Sequence, residues 1–69
     1  MTNNEKIKIC NSISEKIINA IDATMSYLSM SSIGDKNNDR IIKSTERLSK
    51  VLTTIEGYKS LLEEDAYDE

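Results

Sequence analysis

Two stretches of this sequence repeat apolar residues at alternating steps of three and four positions, with one polar cluster between them. In a heptad begun at Ile7, the a and d positions of the first stretch are Ile7, Cys10, Ser14, Ile17, Ile21, Thr24 and Leu28. Those of the second stretch are Ile41, Ser44, Leu48, Val51, Ile55, Tyr58 and Leu62. A 3.5-residue repeat is typical of helices that pack along one stripe. The sequence therefore predicts an all-α fold with two long helices.

Few residues interrupt these helices. The chain has no Pro and its glycines are Gly34 and Gly57 alone, so helix breakers are scarce. Thr2 and Glu5 have the spacing of a capping box, which predicts that the first helix begins near residue 4. Gly34 suits the left-handed residue that follows a helix. Gly57 lies inside the second helix, where it either permits the close approach of another helix or marks a kink.

The polar cluster after Gly34 predicts a turn between the helices. Asn38 within it is the predicted N-cap of the second helix. The chain is then one helical-hairpin domain, residues 1–69, with these predicted parts: helix 1 over about 4–31, a turn over 33–38, helix 2 over about 39–64 and an acidic tail over 65–69.

Two helices of nearly equal length joined by a short turn favour antiparallel packing. The first helix also carries apolar residues on both sides of its seam, at Ile13, Ile18, Ala20, Met25 and Tyr27. Such a face is wider than a two-stranded seam needs. We therefore predict that antiparallel hairpins associate into a four-helix bundle. Helix 1 is expected to make that assembly, while helix 2 and the tail face a partner.

The small size of the chain supports the same expectation. A core of 69 residues rarely supplies more than about 3–5 kcal/mol of stability without disulfides, a metal ion or association. Cys10 is the single cysteine, and the sequence contains no His. Association is the remaining means of stabilisation. The predicted core and oligomer interface comprises Ile7, Cys10, Ile13, Ile17, Ile18, Ile21, Met25, Leu28, Ile41, Leu48, Val51, Leu52, Ile55, Tyr58 and Leu62.

Charge is distributed unevenly along the chain. The net charge is −3, yet residues 63–69 hold five acids and no base, so the rest of the chain is weakly basic. No stretch approaches the roughly 18 apolar residues of a membrane span. We expect a cytoplasmic protein with no membrane partner. Its richness in Ile, Asn and Lys is typical of AT-rich genes, such as those of phages and other mobile elements.

One local pattern resembles a calcium loop. Asp35, Asn37, Asp39 and Glu46 occupy positions of the EF-hand signature that ligate calcium. Arg40, however, stands where that loop requires Gly. The competing interpretation is that these residues end one helix, cap the next and cover its surface. The sequence predicts no metal site beyond this EF-hand-like candidate.

A second pattern is a stripe of bases on helix 2. Arg40, Lys43, Arg47 and Lys50 follow one another at steps of three and four beside the predicted seam. Such a stripe suits RNA phosphates or a nucleotide, because guanidinium groups bind phosphate in a bidentate manner. The competing interpretation is a solvated helix face whose long side chains lie over the edge of the core.

The residues exclude most catalytic chemistry that depends on a local motif. Without His, no imidazole activates Cys10 or any hydroxyl. We predict no enzyme activity and no cofactor. The leading hypothesis is a homo-oligomer that binds a protein partner, for example a mobile-element regulator or inhibitor of host machinery. The alternatives are a binder of nucleic acid or nucleotide through the basic stripe, and a structural subunit of a larger helical assembly.

Overall fold

The computed structural model of the chain describes residues 1–32 and 34–66. Over these residues it consists of two α-helices and no strand: α1, Asn3–Met30, and α2, Lys36–Ala66. The helices lie against each other and form a rod of 53 × 15 × 14 Å. This confirms the predicted all-α helical hairpin. Of the predicted tail, residues 65 and 66 continue α2, and residues 67–69 lie outside the described part of the chain.

Helix α1 begins where the capping box predicts. Thr2 has an extended backbone, and its Oγ1 accepts a hydrogen bond from the Glu5 N–H at 3.2 Å. The same hydroxyl donates to Glu5 Oε1 at 3.3 Å. One of the N–H groups that a helix start leaves without a partner is thereby satisfied.

The connection between the helices differs from the prediction. Helix α2 begins at Lys36, three residues before its predicted start, and Asp35 takes the capping role assigned to Asn38. Asp35 Oδ1 accepts from the Asn37 N–H at 2.9 Å, whereas Asn38 Nδ2 donates to the Ser32 carbonyl at 3.1 Å. Asp and Asn are equally good caps, and a carboxylate also favours the positive end of the helix dipole. Gly34, at φ +89°, provides the reversal just before this cap.

The seam of α1 is the predicted one. Its a and d positions are all buried or half-buried, and Cys10 and Ser14 are 4% and 5% exposed. The Ser14 hydroxyl is buried without a hydrogen-bond partner among the described residues. Helix α1 therefore packs along the stripe that the heptad indicates.

The seam of α2 is shifted at every second position. Ile41, Leu48, Ile55 and Leu62 face α1 as predicted, with Leu62 at 6% exposed. The residues between them in the seam are Thr45, Leu52 and Lys59 rather than the predicted Ser44, Val51 and Tyr58. Val51 and Tyr58 are each 47% exposed, so their assignment to the core of the hairpin is wrong. The a positions of α2 are thus Thr45, Leu52 and Lys59.

Polar contacts explain this choice of seam. Thr45 Oγ1 donates to Thr24 Oγ1 across the helices at 2.7 Å, and Thr24 Oγ1 donates to the Ile21 carbonyl at 2.8 Å. Lys59 lays its stem over the seam and reaches Glu56 and Glu63 at 3.9 and 3.8 Å. Thr45 and Lys59 therefore occupy the seam without leaving their polar atoms unpaired.

The threonine pair also sets the register of the hairpin. Because the helices are antiparallel, each step forward in α1 from Thr24 corresponds to one step backward in α2 from Thr45. Leu28 then lies level with Ile41, and Ile7 lies level with Leu62.

Across the described residues, neither helix contains a stretch apolar and long enough to cross a lipid bilayer.

Candidate interaction surfaces

The register divides the outer surface of the hairpin into two long faces of opposite charge. In an antiparallel pair, the g positions of both helices lie on one side of the seam and the e positions lie on the other. We call the g and c side the basic face, because it carries four bases and one acid: Lys6, Lys16, Arg40, Arg47 and Asp65. We call the e and b side the acidic face, because it carries six acids and one base: Glu15, Asp22, Asp39, Glu46, Glu56, Glu63 and Lys8.

Exposed apolar side chains are concentrated on the basic face. Seven large hydrophobic residues at its g and c positions are at least 37% exposed: Ile9, Ile13, Tyr27, Met30, Val51, Tyr58 and Leu61. The acidic face has three, Ile18, Met25 and Ile42. Both faces therefore leave apolar side chains in water, but the basic face has more than twice as many of them.

Five of these residues lie at one end of the rod and define what we call the Tyr58 patch: Ile9, Ile13, Val51, Tyr58 and Leu61. In the register set by Thr24 and Thr45, they fall within about 15 Å along the helix axes. The prediction that helix 1 alone provides the wide apolar face missed the part contributed by α2. The sequence signal in α2 is that residues 51, 58 and 61 are separated by seven and three positions and so share one face of a helix.

The EF-hand-like candidate does not form a loop. Helix α2 is continuous from Lys36, so Asn37, Asp39 and Glu46 are helical, and Asp39 and Glu46 are separated by about 10 Å along the axis. The Asp35 carboxylate caps the helix instead. Within residues 1–32 and 34–66, no three acidic or sulfur ligands gather as a metal site would require. The helix-capping interpretation describes these residues.

The basic stripe is continuous, but it lies farther from the seam than predicted. Arg40, Lys43, Arg47 and Lys50 are all exposed and occupy c and f positions, on the outer surface of α2. Among the described residues, none of the four has a carboxylate within 4.0 Å. The neighbouring Thr54 hydroxyl donates to the Lys50 carbonyl at 3.0 Å, and it is thus already engaged.

The remaining candidates are the Cys10 thiol and the lysines near the start of α1. The Cys10 thiol is buried in the seam, and the register places it level with Lys59. Lys6 and Lys8 have no acidic oxygen within 4.0 Å in the described part of the chain, where the ion pairs are those of Lys59. The features that remain for recognition are the two charged faces and the Tyr58 patch.

Comparison with protein-family models, with curated proteins and with solved structures finds no match to this chain.

Proposed function

We propose that this chain acts without catalysis, as a protein-interaction module whose working form is a self-associated hairpin. The observation that carries the proposal is the large surface of the single hairpin. Its solvent-accessible area is 5409 Å², whereas a compact monomer of 7.8 kDa exposes about 4,400 Å². The excess of about 1,000 Å² is close to what one partner buries in an interface of standard size.

The composition of that surface supports association rather than mere elongation. Buried side chains are few among the described residues, and one of the three, Ser14, is polar. Seven large apolar side chains remain exposed on a single face. Single exposed apolar residues are ordinary, but a contiguous set on one side of a small protein is typical of an interface.

The chemistry of the side chains supports a non-enzymatic role. The sequence contains no His, and its one thiol is buried in the seam. The Thr24, Ser29 and Thr53 hydroxyls donate to backbone carbonyls of their own helices. Hydroxyls held in this way lack the adjacent base that activates a nucleophile.

Sedimentation equilibrium combined with far-ultraviolet circular dichroism over a wide range of concentration tests the proposal. We expect a mass of twice 7.8 kDa and a helical signal that falls on dilution, because dissociation leaves a weakly stabilised hairpin. A helical monomer that persists at every concentration would overturn the proposal.

A second candidate function, binding of a phosphate-rich ligand, is favoured by the four exposed bases of α2 that have no ion-pair partner among the described residues. Titration of a fluorescent single-stranded RNA at several salt concentrations tests it. Binding through Arg47 and Lys50 would weaken steeply with salt, and would be lost in the variant Arg47→Glu, Lys50→Glu. Lys6→Glu with Lys8→Glu is the matched control, since it changes the charge equally at residues of α1 outside the stripe. Equal binding by both variants would exclude the stripe.

A further inference from the structure

We infer that the occupant of the basic face is a second copy of this chain, bound by the same face with both hairpins pointing in the same direction. This inference rests on the proposed self-association and adds its surface and orientation. It replaces the expectation that helix 1 alone makes the assembly, because α1 and α2 contribute to one continuous face.

The area of the face suits a second copy. The rod is 53 Å long and 15 Å wide, so the rectangle of one side measures about 800 Å², similar to the area that one partner contributes to a standard interface. The same amount accounts for most of the surface by which the hairpin exceeds a compact monomer. A shorter peptide would leave much of that excess uncovered.

The placement of apolar and charged residues along the face selects the orientation. With both hairpins pointing the same way about a two-fold axis, α1 of each copy covers α2 of the other. The Tyr58 patch then meets the Tyr58 patch, with Ile13 of one copy near the level of Tyr58 of the second copy. Lys6 of one copy lies near the level of Asp65 of the second copy, which pairs opposite charges at the rim.

The opposite orientation covers the same area but places charged side chains over apolar ones. With the hairpins pointing in opposite directions and fully overlapped, α2 covers α2. Leu61 and Tyr58 of one copy would then lie over Arg40 and Arg47 of the other. Burial of guanidinium groups against apolar side chains is unfavourable, because the charges lose water without gaining partners. In the same-direction dimer Arg40 lies near the level of Tyr27 and Met30 at an open end, where its charged head stays solvated. Arg47 lies near the level of the small residues Ala20 and Ala23, away from the Tyr58 patch.

The first arm of the test compares variants of the full chain by sedimentation equilibrium. Val51→Glu with Tyr58→Glu places two charges in the Tyr58 patch. Ile18→Glu with Ile42→Glu is the matched control on the acidic face, where the two side chains are 46% and 43% exposed. We expect the dissociation constant to rise at least about 100-fold for the patch variant, with the control still dimeric.

The second arm does not depend on the folding of a monomer. One chain carrying Cys10→Ala and Ile13→Cys is mixed with another carrying Cys10→Ala and Tyr58→Cys, and the mixture is oxidised. We expect a covalent dimer, because these positions lie near one level across the interface. The control pair, Ile18→Cys with Ser49→Cys in the same background, lies at one level on the acidic face and should remain unlinked.

The outcomes separate the two proposals. If the unaltered chain is a dimer but the acidic-face variants dissociate it or the acidic-face cysteines cross-link, this inference is wrong and self-association stands. If the dimer forms while the cysteines at 13 and 58 stay unlinked, the orientation is wrong. If the unaltered chain is monomeric, the inference and the proposed function both fail.

Discussion

Substitution of the two glycines by alanine should change stability in opposite directions. Gly57 lies inside α2 and is exposed, and apart from its chain neighbours and the adjacent backbone of α2, no atom of the described residues lies within 4 Å of the place a Cβ would take. Alanine therefore gains the difference in helix propensity, about 1 kcal/mol, with no steric penalty. Neither close approach of another helix nor any other contact explains this glycine within the hairpin.

Gly34 differs from Gly57 in its backbone conformation. The space around it is equally open, but its φ is +89°, which alanine adopts only with strain. That strain amounts to about 1–2 kcal/mol. Since the surroundings of both positions are open, the sign of each effect comes from the backbone alone.

Thermal unfolding followed by circular dichroism measures both effects. For a domain of this size, 1 kcal/mol shifts the melting temperature by about 4–8 °C. Gly57→Ala should raise it and Gly34→Ala should lower it, when both are compared at one protein concentration, because association makes the midpoint concentration-dependent. A fall in the melting temperature of Gly57→Ala would refute the reasoning. It would mean that the outer surface of α2 is packed closely against another chain.

Three further changes test separate parts of the structure. Ser14→Ala should stabilise the fold by about 1–2 kcal/mol in chemical denaturation, because it improves helix propensity and removes a buried hydroxyl that has no partner among the described residues. Exposed Ser12→Ala should give the propensity part alone, and equal gains from both variants would contradict the burial argument. Asp35→Ala should lower the free energy of unfolding by about 1 kcal/mol, because α2 loses its cap, whereas Asp35→Asn should keep the cap and the stability. Equal losses in both variants would show that capping by residue 35 does not stabilise the fold. Calcium should leave the melting temperature unchanged, since α2 is continuous from Lys36 through Glu46, and a calcium-dependent rise would restore the loop hypothesis.

The helices and the seam of α1 could be predicted because the a and d positions of α1 hold no charged residue, whereas the neighbouring repeat contains Lys6 and Lys16. Helix α2 fits two frames, which share Ile41, Leu48, Ile55 and Leu62 and differ in the residues between them. Both frames are similarly apolar, so periodicity does not choose between them. The choice depends on Thr24, which lies 21 residues away and offers a hydroxyl to Thr45.

The candidate interface was missed for the same reason. A change of frame moves Val51 and Tyr58 from the seam to the surface, where they join Ile13. The start of α2 was similarly ambiguous, since Asp35 and Asn38 are equivalent caps by residue type. Only the conformation at Gly34 decides which of them meets a free N–H group.

The hydrogen bond between Thr24 and Thr45 has a consequence for the uniqueness of the fold. A slip of one heptad in either direction would separate the two hydroxyls by about 10 Å and leave Thr45 level with Ile17, or Thr24 level with Leu52. The remaining seam, mostly Ile and Leu, discriminates weakly between such alignments. The Thr24–Thr45 hydrogen bond therefore favours one alignment of the two helices over the others. Valine at both positions would raise thermal stability while allowing several helix alignments to coexist, as polar seam residues do in other helical assemblies.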